Sequence, residues 1–175
     1  MNISVDAIKE LREMTSCGVI ECKKALEEAK GDFNKAKDIL IRRGLEIAAK
    51  KGSREAKEGR IEAYIHSNKI GALIEVNCET DFVAHNEDFG RFAKDMAMQI
   101  VASAPKYVRR EDIPEAVLKE QKKVDEFAKE VCLMEQPFIK DPKITVKDYL
   151  NSLIASIGEN IFISRFIRFK VNESA

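Results

Sequence analysis

The chain has no tryptophan, four prolines, eight glycines and two histidines in 175 residues, and its charges cancel, 30 Lys and Arg against 30 Asp and Glu. Each scarcity narrows the function. A zero balance argues against a domain whose main task is to grip phosphate backbones, because such domains are usually markedly basic, although a local basic patch remains open. No apolar run approaches the roughly 20 residues needed to span a bilayer. The opening Met1-Asn2-Ile3-Ser4-Val5-Asp6-Ala7-Ile8 has neither the basic start nor the apolar core of a secretory signal, so the expected location is the cytoplasm. Cys17, Cys22, Cys78 and Cys132 form no Cys-x-x-Cys pair, and neither histidine stands at zinc-finger spacing from them. Free thiols in a reducing compartment are the simpler reading. Gly52, Gly59, Gly71 and Gly90 are isolated, which leaves no glycine-rich loop suited to a phosphate.

What is present is globular: 45% hydrophobic and 34% charged residues, at a length that suits one domain or a small domain before a larger one. Three short helices are expected first. Ser4 is placed to cap a helix with Val5, Ile8 and Leu11 on one side, and Thr15-Ser16-Cys17-Gly18 breaks it. A second helix starts near Val19 with Cys22, Ala25, Leu26 and Ala29 at helical spacing. Gly31 stops it, and Asp32 caps a third that carries Phe33, Ala36, Ile39 and Leu40 and closes at Gly44. The expected division is a three-helix module over residues 1–45, a basic helical linker over 46–58 and a core over 59–175. Lys50, Lys51, Arg54 and Lys57 in the linker are read as a solvated face before a binding one.

The period then changes to two. Ile61, Ala63 and Ile65 alternate with Arg60, Glu62, Tyr64 and His66, and Ile70, Ala72, Ile74 and Val76 alternate after a turn at Ser67-Asn68-Lys69. This predicts a hairpin with the two apolar sets facing inward. Phe89, Phe92, Ala93, Met96, Ala97, Ile100 and Val101 form a strong helical stripe behind a possible cap at Asn86, ended by Pro105. A helical stretch opens at Pro114, and Pro137 and Pro142 bracket a loop. Thr145 and Asp148 cap a helix that turns Tyr149, Leu150, Leu153, Ile154 and Ile157 inward and stops at Gly158. Ile161 to Val171 is a last strand. The fold class is α+β: a helical N-terminal module before a core with a small antiparallel sheet packed by helices.

Catalytic readings fare badly. Cys78 and His85 are a conceivable nucleophile and base, but no orienting third group or oxyanion element accompanies them. Glu79, Asp81, Glu87 and Asp88 resemble a cation cluster, yet acidic residues opening a helix are explained by capping and the helix dipole. Phe82, directly behind Asp81 between strand and helix, has two readings. Local pattern favours a core side chain; the other reading is an exposed aromatic wedge of the kind that dominates binding in a partner's pocket.

The run Leu11-Arg12-Glu13-Met14-Thr15-Ser16-Cys17-Gly18-Val19-Ile20-Glu21-Cys22-Lys23-Lys24-Ala25-Leu26 resembles the N-terminal signature of the bacterial elongation factor Ts family. Glu75-Val76-Asn77-Cys78-Glu79-Thr80-Asp81-Phe82-Val83-Ala84 is similar to its second signature, and Glu135-Gln136-Pro137-Phe138 and Ile157-Gly158-Glu159-Asn160-Ile161 to further segments, all in the family's order. Ser16-Cys17 and Val19-Ile20 depart from the usual Gly-Ala and Met-Met, and His85 stands where a basic residue is commoner. The resemblance implies guanine-nucleotide exchange on elongation factor Tu, with no bond made or broken, no catalytic residue and no cofactor. It implies that the first three helices are a ubiquitin-associated-like module. Thr80, Asp81, Phe82 and Val83 would then act beside the partner's magnesium site, with Arg12, Val19, Ile20, Ile157 and Gly158 as further contacts. Longer members have two core subdomains; this chain has room for one, so a homodimer in a two-plus-two complex is expected. Three rivals compete with this reading: a peptide- or ubiquitin-like-binding adaptor using the first helices alone, an enzyme using Cys78 and His85, and an RNA-binding translation protein.

Overall fold

A computed structural model of the chain describes residues 3–15 and 17–173; Met1, Asn2 and Ser16, which belong to the expected start and first break, lie outside them. The N-terminal helices are α1 (Val5–Thr15), α2 (Val19–Glu28) and α3 (Phe33–Lys51). The Ser4 hydroxyl accepts the Ala7 N–H at 3.1 Å, and the Asp32 carboxylate accepts the Lys35 N–H at 3.1 Å, as their capping positions require. Lys30 and Gly31 take the left-handed conformation that turns the chain between α2 and α3. Leu11, Cys22, Ala25, Leu26, Ala36 and Leu40 form the module's small core, whereas Val5, expected beside Leu11, is exposed.

Gly44 does not stop the third helix, and the expected boundary at residue 45 falls inside α3. The glycine serves a close approach instead. A Cβ there would lie 2.5 Å from the carbonyl oxygen of Asn151, in the helix α8 (Val146–Ile157) that packs along α3. The buried Cys17 thiol and an ion pair of 3.2 Å between Lys37 and Asp141 hold the module to the same region.

Strands β1 (Glu58–His66), β2 (Ile70–Cys78) and β5 (Phe162–Lys170) form an antiparallel sheet in the order β1-β2-β5. A single turn, α4 (Asp81–Ala84), follows β2, and α5 (Glu87–Ser103) then crosses the sheet. The α5 stripe is buried in full as expected, with Phe89, Phe92, Met96 and Ile100 against Ile74 and Val76. Asn86 caps α5, accepting the Asp88 and Phe89 N–H groups at 2.8 and 3.2 Å. Two short helices, α6 (Glu115–Lys119) and α7 (Val124–Val131), make a satellite cluster around Ile113, Ala128 and Val131.

Two expectations for the strands are corrected. Ile61 and Ile65 face outward, 68% and 67% exposed, and it is Glu62 and Tyr64 that turn toward the helices. The register explains it: Tyr64 pairs with Ala72 and Glu62 with Ile74, so these share the covered face, while Ala63 pairs with Leu73 and Ile65 with Gly71 on the other. The expected loop between Pro137 and Pro142 contains a small hairpin, β3 (Pro137–Phe138) with β4 (Asp141–Thr145). Buried side chains of α5 hold it. The Gln99 carboxamide oxygen accepts the Ile139 N–H at 2.8 Å and its amide donates to the Pro137 carbonyl at 3.1 Å, while Asp95 takes Lys140 at 2.6 Å. Thr145 and Asp148 cap α8 reciprocally, and Gly158, with φ +82°, ends it in the left-handed region.

Gly44→Ala sets better helix propensity, about 1 kcal/mol in favour, against overpacking of about 1–3 kcal/mol. The obstructing atoms are backbone, so overpacking should win. A denaturant titration should show a lower midpoint, by an amount equivalent to at most about 2 kcal/mol.

Candidate functional site

The carboxyl end of β2 delivers Glu79 and Thr80 to the surface, and α4 projects from there. Thr80 is the N-cap of α4, its hydroxyl oxygen accepting the Val83 N–H at a long 3.4 Å. The Asp81 carboxylate accepts the Phe82 N–H at 2.9 Å, and the Asp81 carbonyl lies 2.8 Å from Nδ1 of His85. Val83 packs partly on the main core and Ala84 is buried. Phe82 is 84% exposed, so the core reading of this side chain is excluded by the structure. The phenyl ring is thus presented to the surface on a short turn.

A second segment is brought against this turn. Glu159, which follows Gly158, accepts the N–H groups of Glu79 and Thr80 at 3.0 and 3.1 Å, and takes the Thr80 hydroxyl at 2.6 Å. Glu79 in return accepts the Asn160 N–H at 2.6 Å, with Arg54 at 3.4 Å. The Asn160 side chain donates to the Arg54 carbonyl at 2.7 Å, closing the circuit onto the segment before β1. The Asn160 N–H, helped by Arg54, holds the Glu79 carboxyl below the ordinary carboxylate range. Thr80, Asp81, Phe82 and Val83 are thus joined to Ile157 and Gly158, which lie partly exposed at the end of α8.

Arg12 reaches the same end of the core by another route. With Lys9 and Glu13 of α1 it lines a groove of 280 Å³ whose other wall is Asp88 and Arg91 in the first turns of α5. Val19 and Ile20 are not drawn into this arrangement: they open α2, whose packing is with α1 and α3, and stand 53% and 70% exposed. Glu79, Glu159 and Asn160 were not singled out from the sequence as functional. All three stand inside the quoted motifs, and Glu79 was weighed only within a cation cluster; their pairing left no local pattern because the partners are 80 residues apart.

Cys78 is buried, its thiol turned to the Thr80 carbonyl at 3.1 Å, and burial pushes its pKa up to about 11. The imidazole of His85 is engaged with Asp81. Among the described residues no group of three or more His, Cys, Asp or Glu side chains is arranged to hold a metal ion, and no helix is long and apolar enough to cross a membrane.

Comparison with known proteins agrees with the two signatures. The family model described as Elongation factor TS matches residues 34–126 and 121–173. The chain is 50% identical over 196 aligned positions to Elongation factor Ts of Thermodesulfovibrio yellowstonii, covering 99% of this chain and 98% of that protein. It is also 50% identical to Elongation factor Ts of Carboxydothermus hydrogenoformans, covering 98% of this chain and 90% of the relative, and to that of a Thermoanaerobacter species, covering 98% and 96%.

Burial raises the thiol pKa of Cys17, Cys78 and Cys132 to about 11 and moves that of Cys22 in the same direction. Thiolate is therefore scarce at neutral pH. Aromatic disulfide reagents should react slowly with the folded chain and titrate four thiols per chain once it is denatured. A fast-reacting Cys78 in the native protein would restore the nucleophile reading.

Proposed function

The chain belongs to the elongation factor Ts family, which implies a nucleotide exchange factor for elongation factor Tu in translation, and from that premise we propose how it acts. It binds elongation factor Tu in the cytoplasm and promotes release of GDP and Mg²⁺ by inserting the Asp81–Phe82 turn into the partner's nucleotide-binding domain. It makes and breaks no bond, and so needs no nucleophile and no cofactor. The observation that carries this reading is the bare phenyl ring of Phe82 on a turn tied into the core at its base. Thr80 and Val83 set the height of that turn. Ile157 and Gly158 extend the contact from the adjoining helix end, and Arg12, Val19 and Ile20 carry it onto a ubiquitin-associated-like N-terminal module.

A wedge works through differential affinity. Mg²⁺ holds nucleotide phosphates, and disturbing its ligands loosens the nucleotide. Phe82 favours release only if its pocket is better formed in the open partner than in the closed one. The coupling is reciprocal: whatever factor the wedge takes from GDP affinity, GDP takes from the affinity of the wedge.

The working form is a homodimer, two chains with two partners. What supports this is the sheet face opposite α5. Ile61, Ile65, Leu73, Ile167 and Phe169 lie there, with Phe169 66% exposed, and Glu75 and Arg165, which pair at 2.7 Å, stand on the same face. Such a face is larger than the scattered apolar side chains of an ordinary surface. A second copy supplies a matching sheet, and two sheets pack face to face at a spacing of about 10 Å. Pairing this face in a two-fold dimer covers it in both chains at once.

Release of fluorescent GDP from elongation factor Tu should accelerate at sub-stoichiometric amounts of this protein, and no acceleration across a concentration series with a matched partner would remove the reading. Phe82→Ala should slow release while shifting unfolding free energy by no more than about 0.5 kcal/mol, the usual range for a surface change. A core phenylalanine would lose about 3–5 kcal/mol in the paired denaturant titration.

Light scattering should report twice the 19.8 kDa chain mass. Leu73→Glu places a charge at the centre of the bare face without disturbing the single chain. It should yield folded monomer with reduced exchange; a Leu73→Glu protein still fully dimeric would move the seam elsewhere.

A further inference from the structure

The turn that presents Phe82 has little of its own to hold it. Helix α4 has four residues, less than is needed for a stable isolated helix. Its capping bond, from the Val83 N–H to the Thr80 hydroxyl oxygen, is long at 3.4 Å, and the phenyl ring is bare. The strong bonds are elsewhere. Glu159 takes three donors from residues 79 and 80, two of them main-chain N–H groups and one a hydroxyl at 2.6 Å, and Glu79 takes the Asn160 N–H at 2.6 Å. The hydroxyl bond of 2.6 Å is in the range of charge-assisted O–H···O⁻ bonds, and the Asn160 N–H bond to Glu79 is shorter than is usual for an N–H donor. Each carboxylate belongs to one segment and accepts from the main chain of the other, so neither segment moves without breaking bonds at both. Arg54 and the Asn160 amide brace the pair from the segment before β1.

We infer that Glu159 and Glu79 are positioning residues for exchange. Their reciprocal clamp makes the Phe82 turn and the Gly158 turn one rigid wedge, and this inference rests on the exchange function proposed above. Neither carboxylate needs to touch the partner. Their contribution is preorganisation: a turn already fixed at its base loses less freedom on insertion than a loose one. The left-handed Gly158 sets the direction in which Glu159 leaves α8, so the helix end and the clamp form a single device.

The test compares wild type, Glu159→Ala, Glu159→Gln, Phe82→Ala and the double variant Phe82→Ala/Glu159→Ala. GDP-release rates are measured per folded molecule, together with hydrogen exchange of the Glu79 and Thr80 amides in the free protein. Glu159→Ala should lose amide protection at both positions. It should also lower the release rate about tenfold, equivalent to about 1.4 kcal/mol, the scale of one charge-assisted bond. Glu159→Gln should stay close to wild type in both readouts. Its carboxamide oxygen still accepts the two N–H groups, and its amide donates to the Thr80 hydroxyl oxygen. Because the clamp acts through the wedge, Glu159→Ala should have little further effect once Phe82 is alanine. A loss that is undiminished in the Phe82→Ala background, or a full release rate with both amides unprotected, overturns the clamp and leaves the exchange reading standing. A wild-type chain that releases no GDP removes the exchange reading, and the clamp's role with it, whatever the amides show.

Discussion

The apolar stripe of α5 is buried against one face of a three-stranded sheet, and most of the molecule is arranged around that contact. Phe89, Phe92, Met96 and Ile100 need a surface, and Ile74 and Val76 on the central strand provide it. Helix α8 packs behind α5, and α3 packs along α8 at the distance that Gly44 allows. One layer of helices covers one face of a sheet. The other face, with Ile61, Leu73 and Phe169, is exposed. The same contact fixes the position of the candidate site. The chain must pass from the end of β2 to the Asn86 cap of α5 in eight residues, 79–86, and α4 is the form that this short connection takes at the surface.

Helices were legible from the sequence because their signals are local. Ser4, Asp32, Asn86 and Thr145 cap where their positions suggest, and the α5 stripe is buried without exception. Faces of strands were not legible from alternation alone. In β1 the more apolar set, Ile61, Ala63 and Ile65, is the exposed one. A hairpin with Ser67, Asn68 and Lys69 outside the ladder pairs His66 with Ile70, so residues of like parity face each other. Even-numbered Ala72, Ile74 and Val76 then take Glu62 and Tyr64 with them to the core. Turn length carried the answer, and the richer apolar pattern pointed the other way because two apolar faces were present. Gly44 failed for a related reason: a helical glycine that ends a helix and one that admits a neighbouring backbone look alike until the neighbour is known.

The site divides along the same line. The residues of the turn stand in one short motif and could be picked out, although local pattern leaned toward a core role for Phe82. What holds the turn could not be found this way. Glu159 and Glu79 are two acidic residues among 30 in the sequence, and their pairing exists only because antiparallel β2 and β5 bring the start of one strand beside the end of the other. Two carboxylates on adjoining segments would ordinarily repel if brought close. Here each is satisfied by main-chain N–H groups of the opposite segment, which turns a like-charge pair into a tie.

Such a tie bears on how an exchange factor must be built. A wedge has to hold its pocket open against a nucleotide that binds tightly, and the free energy for that comes only from its own differential affinity for the open state. A turn that had to be ordered during insertion would give back part of that affinity as lost conformational freedom, about 1–2 kcal/mol for each backbone residue fixed. With residues 79 and 80 tied by Glu159, the base of the turn is already ordered. On the proposed reading, the contact energy of the exposed ring then goes into opening the partner. On that reading, the exposure of Phe82 and the ties at its base are two halves of one requirement: the first makes the contact available, and the second decides how much of it reaches the nucleotide.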